Sequence, residues 1–206
     1  MKLFANIISF VFHPLLMITL GVILVLSSTY LAFLPMNVKL FIIFGSLLST
    51  VIIPTVFVLL MRKSGAISDI DITNRKERIV PYFIFLFLTI VYLFLIYKLL
   101  LPFWFIGMIM GAIFALIISL CINFYWKISV HGVGIGGLLG CVMGVSHLLL
   151  VNPYQLFMIV IIIAGFVAMS RIYLDRHTPM QAYAGICLGF SCTFLSSMFS
   201  FLDLSL

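Results

Sequence analysis

The chain has 206 residues, 65% of them hydrophobic, a mean hydropathy of +1.38 and only 8% Asp, Glu, Lys and Arg. Soluble domains carry about 45–50% apolar residues, so this composition excludes a water-soluble globular protein and points to an all-α, polytopic transmembrane helical bundle, one integral membrane domain over residues 1–206. Eleven basic residues against five acidic ones give a net charge of +6, which in so apolar a chain reports loop orientation and anionic headgroups rather than nucleic acid.

A membrane-spanning helix needs about 20 mostly apolar residues. Apolar runs bounded by Pro, Gly or charge predict about six or seven spans, at residues 5–33, 38–62, 80–101, 103–125, 131–151, 153–170 and 179–202. The first run, MKLFANIISFVFHPLL onward, continues past residue 30 without a small-residue cleavage site, so it is expected to be a retained span. His13, just before Pro14, is expected to sit at a helix entry. Pro102 and Trp104 mark a turn at one interface, Tyr125 and Trp126 the other. Cys121, Cys141, Cys187 and Cys192 lie in apolar runs without metal-like spacing and read as small hydrophobes.

Seven spans alternate the loops between two faces. On one lie Lys2, Arg62, Lys63, Arg75, Lys76, Arg78, Lys127, Arg171 and Arg176, and on the other only Lys39 and Lys98. Three clusters share the basic face. The first is SDIDITNRKER, residues 68–78, which also suits a solvated loop obeying the positive-inside rule. The second is KISVHGVGIGGLLG, residues 127–140, where Lys127, Ser129, His131 and glycine N–H groups make an anion-binding corner. Its helix carries Gly132, Gly136, Gly140 and Gly144 at every fourth position, a flat stripe for close packing of another helix, and a surface by which two copies could form a homo-oligomer. The third is SRIYLDRHTP, residues 170–179. Arg171 and Asp175 have ion-pair spacing if the helix continues, Thr178 suits an N-cap and Pro179 a first helical residue, so His177 is expected beside a helix N-terminus where a phosphate is favoured. His147, sixteen residues beyond His131, is expected about 24 Å away at 1.5 Å per residue, near the opposite interface.

These residues resemble the type 2 phosphatidic acid phosphatase superfamily of membrane lipid phosphatases, in a divergent bacterial branch, over about residues 68–202. Ser170, Arg171 and His177 match the family's third motif of Ser-Arg, five residues and His. Ser129 and His131 match the second motif, where Ile128 and Val130 depart from it. RKERIVP only echoes the first motif, so the basic role falls on Arg75, Lys76 and Arg78 as a group. The aspartate that orients the family's nucleophile is replaced by Gln181, with Asp175 a candidate substitute carboxylate.

The resemblance implies a lipid-phosphatase-like core in which His177 attacks the phosphorus of a lipid phosphate or diphosphate and forms a phosphohistidine. His131 would protonate the leaving oxygen, Arg171, Lys127, Ser129 and the basic loop would hold phosphate oxygens, and no metal or other cofactor is required. It also implies a bacterial inner (cytoplasmic) membrane. Two rivals fit the same residues: a lipid-phosphate binder without turnover, and a small lipid transporter, which would need polar residues leading through the bundle. The substrate would be an amphiphile of unspecified tail.

Overall fold

The computed structural model describes residues 1–69, 72, 74–149 and 154–202, with side chains described to residue 200. Every regular element among them is helical, and the protein is an integral membrane helical bundle. Six helices are long and apolar enough to cross a membrane: Met36–Lys63, Arg75–Tyr97, Phe103–Tyr125, Val130–Leu149, Tyr154–Tyr173 and Pro179–Ser200. A bent helix pair at the start of the chain makes a seventh if the two cross as one span. The single helix expected over residues 5–33 is instead α1 (Lys2–Val11) and α2 (Pro14–Ser28), bent by 57° between them, with a 3-10 turn at Tyr30–Phe33. Pro14 is the cause: it has no N–H, and its ring disfavours helical geometry in the residue before it. His13 accordingly adopts φ −66° and ψ 139° and caps α2 with its own ring.

The second span runs as α3 (Met36–Leu47), a π turn at Leu48–Ile52 and α4 (Ile53–Lys63). The π turn lies just before Pro54, where the missing N–H interrupts the ladder. Then follow α5 (Ile79–Tyr97), α6 (Phe103–Tyr125), α7 (Val130–Leu149), α8 (Tyr154–Tyr173) and α9 (Pro179–Leu202). Two expected boundaries move. α5 ends at Tyr97, short of 101, and α8 runs three residues past 170, so Ser170 and Arg171 lie in its last turn rather than in a junction. The turn expected at 151–153 lies outside the described residues.

α9 packs between α6 and α7, and glycine makes this packing work. A Cβ on Gly132 would lie 2.6 Å from the Ala182 carbonyl oxygen, one on Gly140 2.5 Å from that of Phe190, and one on Gly136 against that of Ile186. Gly185 and Gly189 of α9 return the contact on the Ser129 and Val133 carbonyls. Partner numbers climb together along both helices, so α7 and α9 run parallel. Gly107 and Gly111 of α6 meet Ser196 and Cys192 of α9 in the reverse order, which is antiparallel. The glycine stripe is therefore covered by α9 of the same chain and is not an open surface for a second copy.

Since the obstacle is backbone, Gly136→Val and Gly189→Val should lower thermal stability in detergent by the cost of overpacking, about 1–3 kcal/mol or more. Gly165→Ala, with nothing within 4 Å of its new methyl group, should leave stability unchanged or raise it. Equal melting of all three would contradict the packing described.

Candidate functional site

Because α7 and α9 are parallel, their N-termini open at the same end of the bundle, and the backbone joins them there: Ser129 N–H donates to the Gln181 carbonyl at 3.2 Å. Ser129 is the cap of α7. Its Oγ accepts from Gly132 N–H at 3.3 Å and its carbonyl accepts from Val133 N–H, and the side chain is fully buried. The N-cap spacing places a serine hydroxyl where it can satisfy one orphan N–H, so Ser129 positions His131 at the second residue of α7.

α9 opens with a reciprocal cap. Gln181 N–H donates to Thr178 Oγ1 at 3.4 Å, while Gln181 Oε1 accepts from Thr178 N–H at 3.2 Å, the pattern of a Thr-x-x-Gln capping box. The same Oε1 lies 3.0 Å from His177 Nδ1. An amide oxygen only accepts, so Nδ1 carries the proton and Nε2 keeps its lone pair. Gln181 thus orients His177 as a carboxylate would, without adding charge. Asp175 does not take that role: it is exposed, and with φ +53° it ends the helical path after α8, so the i, i+4 helical spacing with Arg171 is not formed. Its left-handed turn lets Arg176 N–H and His177 N–H both donate to the Arg171 carbonyl, which folds His177 back over Arg171.

Four cations converge. Arg78, Arg171 and Lys127 all act electrostatically on His177, and Arg78, Arg171 and Arg176 act on Lys127. Of the three candidates in the RKER run, Arg78 is the one in this group. It is buried, its Nε donates to Ile72 O at 2.7 Å and a terminal nitrogen to Ile128 O at 3.4 Å, so it ties the 64–78 loop to the start of α7. Arg75 instead donates to Tyr125 O at 2.6 Å, and Lys76 is exposed. Glu77 holds the loop in shape by accepting from Ser68 and Asn74. Nothing in the spacing of RKER singles out Arg78, because the loop's return toward α7 is a tertiary event.

Arg171 and His177 act electrostatically on His131, and a third histidine joins it. The rings of His13 and His131 meet edge to face with centroids 5.4 Å apart, and His131 Nε2 lies 3.2 Å from Ser9 O. His13 reads from the sequence first as a helix entry, with a place on a substrate channel as the alternative; the bend at Pro14 is what swings it onto α7. His147 is exposed in the last turn of α7, apart from this group. No protein-family model, curated protein or solved structure matches the chain.

Burial, and the facing Arg78, Arg171 and Lys127, push His177 down to about 3, against the hydrogen bond it donates to Gln181, which raises it. Lys127 is also lowered, by burial first and then by Arg78, Arg171 and Arg176. An unfolded histidine takes its proton near pH 6.5. Between that pH and about 3 the unfolded chain holds the extra proton, so the contribution of neutral His177 to stability is complete above pH 6.5 and is lost progressively as pH falls towards 3. Nitrogen-15 NMR of the ligand-free protein at pH 5 should find His177 neutral; an imidazolium signal there would contradict the cation cluster.

Proposed function

We propose that the protein is a membrane lipid phosphatase that hydrolyses a lipid phosphate or diphosphate through a phosphohistidine on His177, in a bacterial cytoplasmic membrane. The observation that carries this reading is the His177 ring, its Nδ1 3.0 Å from Gln181 Oε1, held in the electrostatic field of Arg78, Arg171 and Lys127. A nucleophile is useful only unprotonated, and fixed cations at two helix N-termini favour the charge of a phosphoryl group in transfer.

In the first step His177 Nε2 forms an N–P bond as the P–O bond to the lipid breaks, and His131 gives a proton to the leaving oxygen. In the second, His131 takes a proton from water, the water oxygen attacks phosphorus, and the N–P bond breaks to release phosphate. Arg78, Arg171 and Lys127 hold the non-bridging oxygens throughout. Gln181 orients the ring but supplies no charge to the imidazolium. In a serine-protease triad the change from Asp to an amide costs about 10⁴-fold, so turnover slower than with a carboxylate partner is expected.

An apolar cavity beside the site supports an amphiphilic substrate. An apolar cavity of about 70 Å³ between α2, α5, α6 and α7 begins at Pro14 and Val130, each adjacent in sequence to a site histidine, and reaches Met108 and Cys141. From Val130 to Cys141 is roughly 16 Å along α7 at 1.5 Å per residue, about the depth of one leaflet's hydrocarbon. Met17 and Met108 line it, and methionine readily rearranges around a chain.

The test is release of inorganic phosphate by the detergent-purified protein from a panel of lipid phosphates and diphosphates. Release is expected, is expected to vanish in His177→Ala, and should fall further in Arg78→Ala than in Lys76→Ala, by roughly 10–100-fold for loss of one charge-assisted contact. A folded protein that binds one of these lipids and releases nothing would replace the enzyme with a headgroup-binding protein.

A further inference from the structure

The broken first span does more than enter the membrane. In a continuous helix the Ser9 carbonyl would accept from His13 N–H and the Phe10 carbonyl from residue 14. Pro14 has no N–H, and it holds His13 in extended backbone at ψ 139°. The α1 ladder accordingly stops with Phe12 N–H on Ile8 O. Ser9 O is left pointing past the end of its helix, and His131 Nε2 lies 3.2 Å away on α7.

A carbonyl can only accept, so this contact requires a proton on His131 Nε2. We infer that Ser9 is a positioning residue of the site: its backbone carbonyl, released by the His13–Pro14 break, holds His131 in the Nε2–H tautomer and leaves Nδ1 as the nitrogen that exchanges a proton with substrate. The His13 ring, edge-on to His131 at 5.4 Å, fixes the plane of the imidazole. α1 is itself pinned by packing on α8, where the rings of Phe4 and Phe166 meet at 6.0 Å, so the carbonyl is held by a rigid element. During the reaction proposed above, Nδ1 relays the proton of a monoanionic phosphate to the leaving oxygen, then takes a proton from the attacking water and passes it to the released phosphate, while Nε2–H stays on Ser9 O and the ring needs no rotation. The inference rests on that reading for its chemistry but not for its geometry. It also places a group essential to the site in residues 9–14, ahead of the part of the chain that resembles the lipid phosphatases.

The experiment is nitrogen-15 NMR of histidine-labelled protein in detergent without substrate, with the His131 signals assigned by their loss in His131→Gln. One neutral Nε2–H tautomer with a slowly exchanging proton is expected. Pro14→Ala, which restores the N–H and lets the helix close over Ser9 O, should keep the fold by circular dichroism and speed exchange of the Nε2 proton roughly tenfold, the scale of one lost hydrogen bond. An Nδ1–H tautomer, a mixture of tautomers in the parent protein, or slow exchange unchanged in a folded Pro14→Ala would each overturn the inference. Because no substrate is present, these outcomes are read apart from phosphate release: a locked Nε2–H in a protein without turnover would sink the phosphatase and leave the positioning intact.

Discussion

The site depends on the backbone-to-backbone approach of α7 and α9. Six glycines on two parallel helices let their backbones approach closely, from Gly132 on the Ala182 carbonyl to Gly144 beside Ser197. Sequential helices in a bundle are normally antiparallel neighbours, and two parallel ones need a third to carry the chain back, a task that α8 performs. The result is that two helix N-termini, each with unpaired N–H groups and a positive dipole end, sit side by side at one membrane face. That arrangement repels cations. The chain nevertheless adds Arg78, Lys127, Arg171 and Arg176 there, with Asp69 acting on Lys127 in the opposite sense, a concentration of positive charge that a bound anion would relieve.

His177 registers that field. Burial alone lowers an imidazole's proton affinity, and the cations lower it further, so the ring stays neutral across the physiological range. A bound phosphate would offset the cations and reverse part of this shift, so in the reaction proposed the same charges that keep His177 unprotonated in the free protein would hold the group it attacks. Gln181 fits this design: it fixes the tautomer through a capping box the helix needs in any case, and binds no proton itself. In the proposed reaction the cost would fall on the phosphorylated ring, whose positive character would lack the carboxylate that Gln181 replaces.

Much of this was legible in the residues. The spans follow from hydropathy, and the Thr178, Pro179 and Gln181 signature marks the start of α9 because capping is local chemistry. The glycine stripe announced close packing but not its partner, since the matching Gly185 and Gly189 lie fifty residues further on in a less conspicuous pattern. Arg78 could not be separated from Arg75 and Lys76, because the choice is made where the loop folds back to Ile128 O. Pro14 was visible, but hydropathy runs residues 5–33 together as one span, and the consequence of the break was hidden too: a backbone carbonyl has no sequence signature, and Ser9 meets His131 across 122 residues. Local rules locate the ends of helices, and tertiary packing decides which ends meet.

A phosphatase, a headgroup binder and a transporter would all use a basic pocket beneath a membrane surface. They differ in whether a covalent bond to His177 ever forms. The most direct measurement is rapid alkaline quenching of the protein with a ³²P-labelled lipid phosphate, followed by mass analysis of the peptide containing residues 170–181. A phosphoryl group on His177, stable in base, labile in acid and lost on a chase with unlabelled substrate, is the expected result. Phosphate release without any such adduct, or bound lipid without either, would contradict the account.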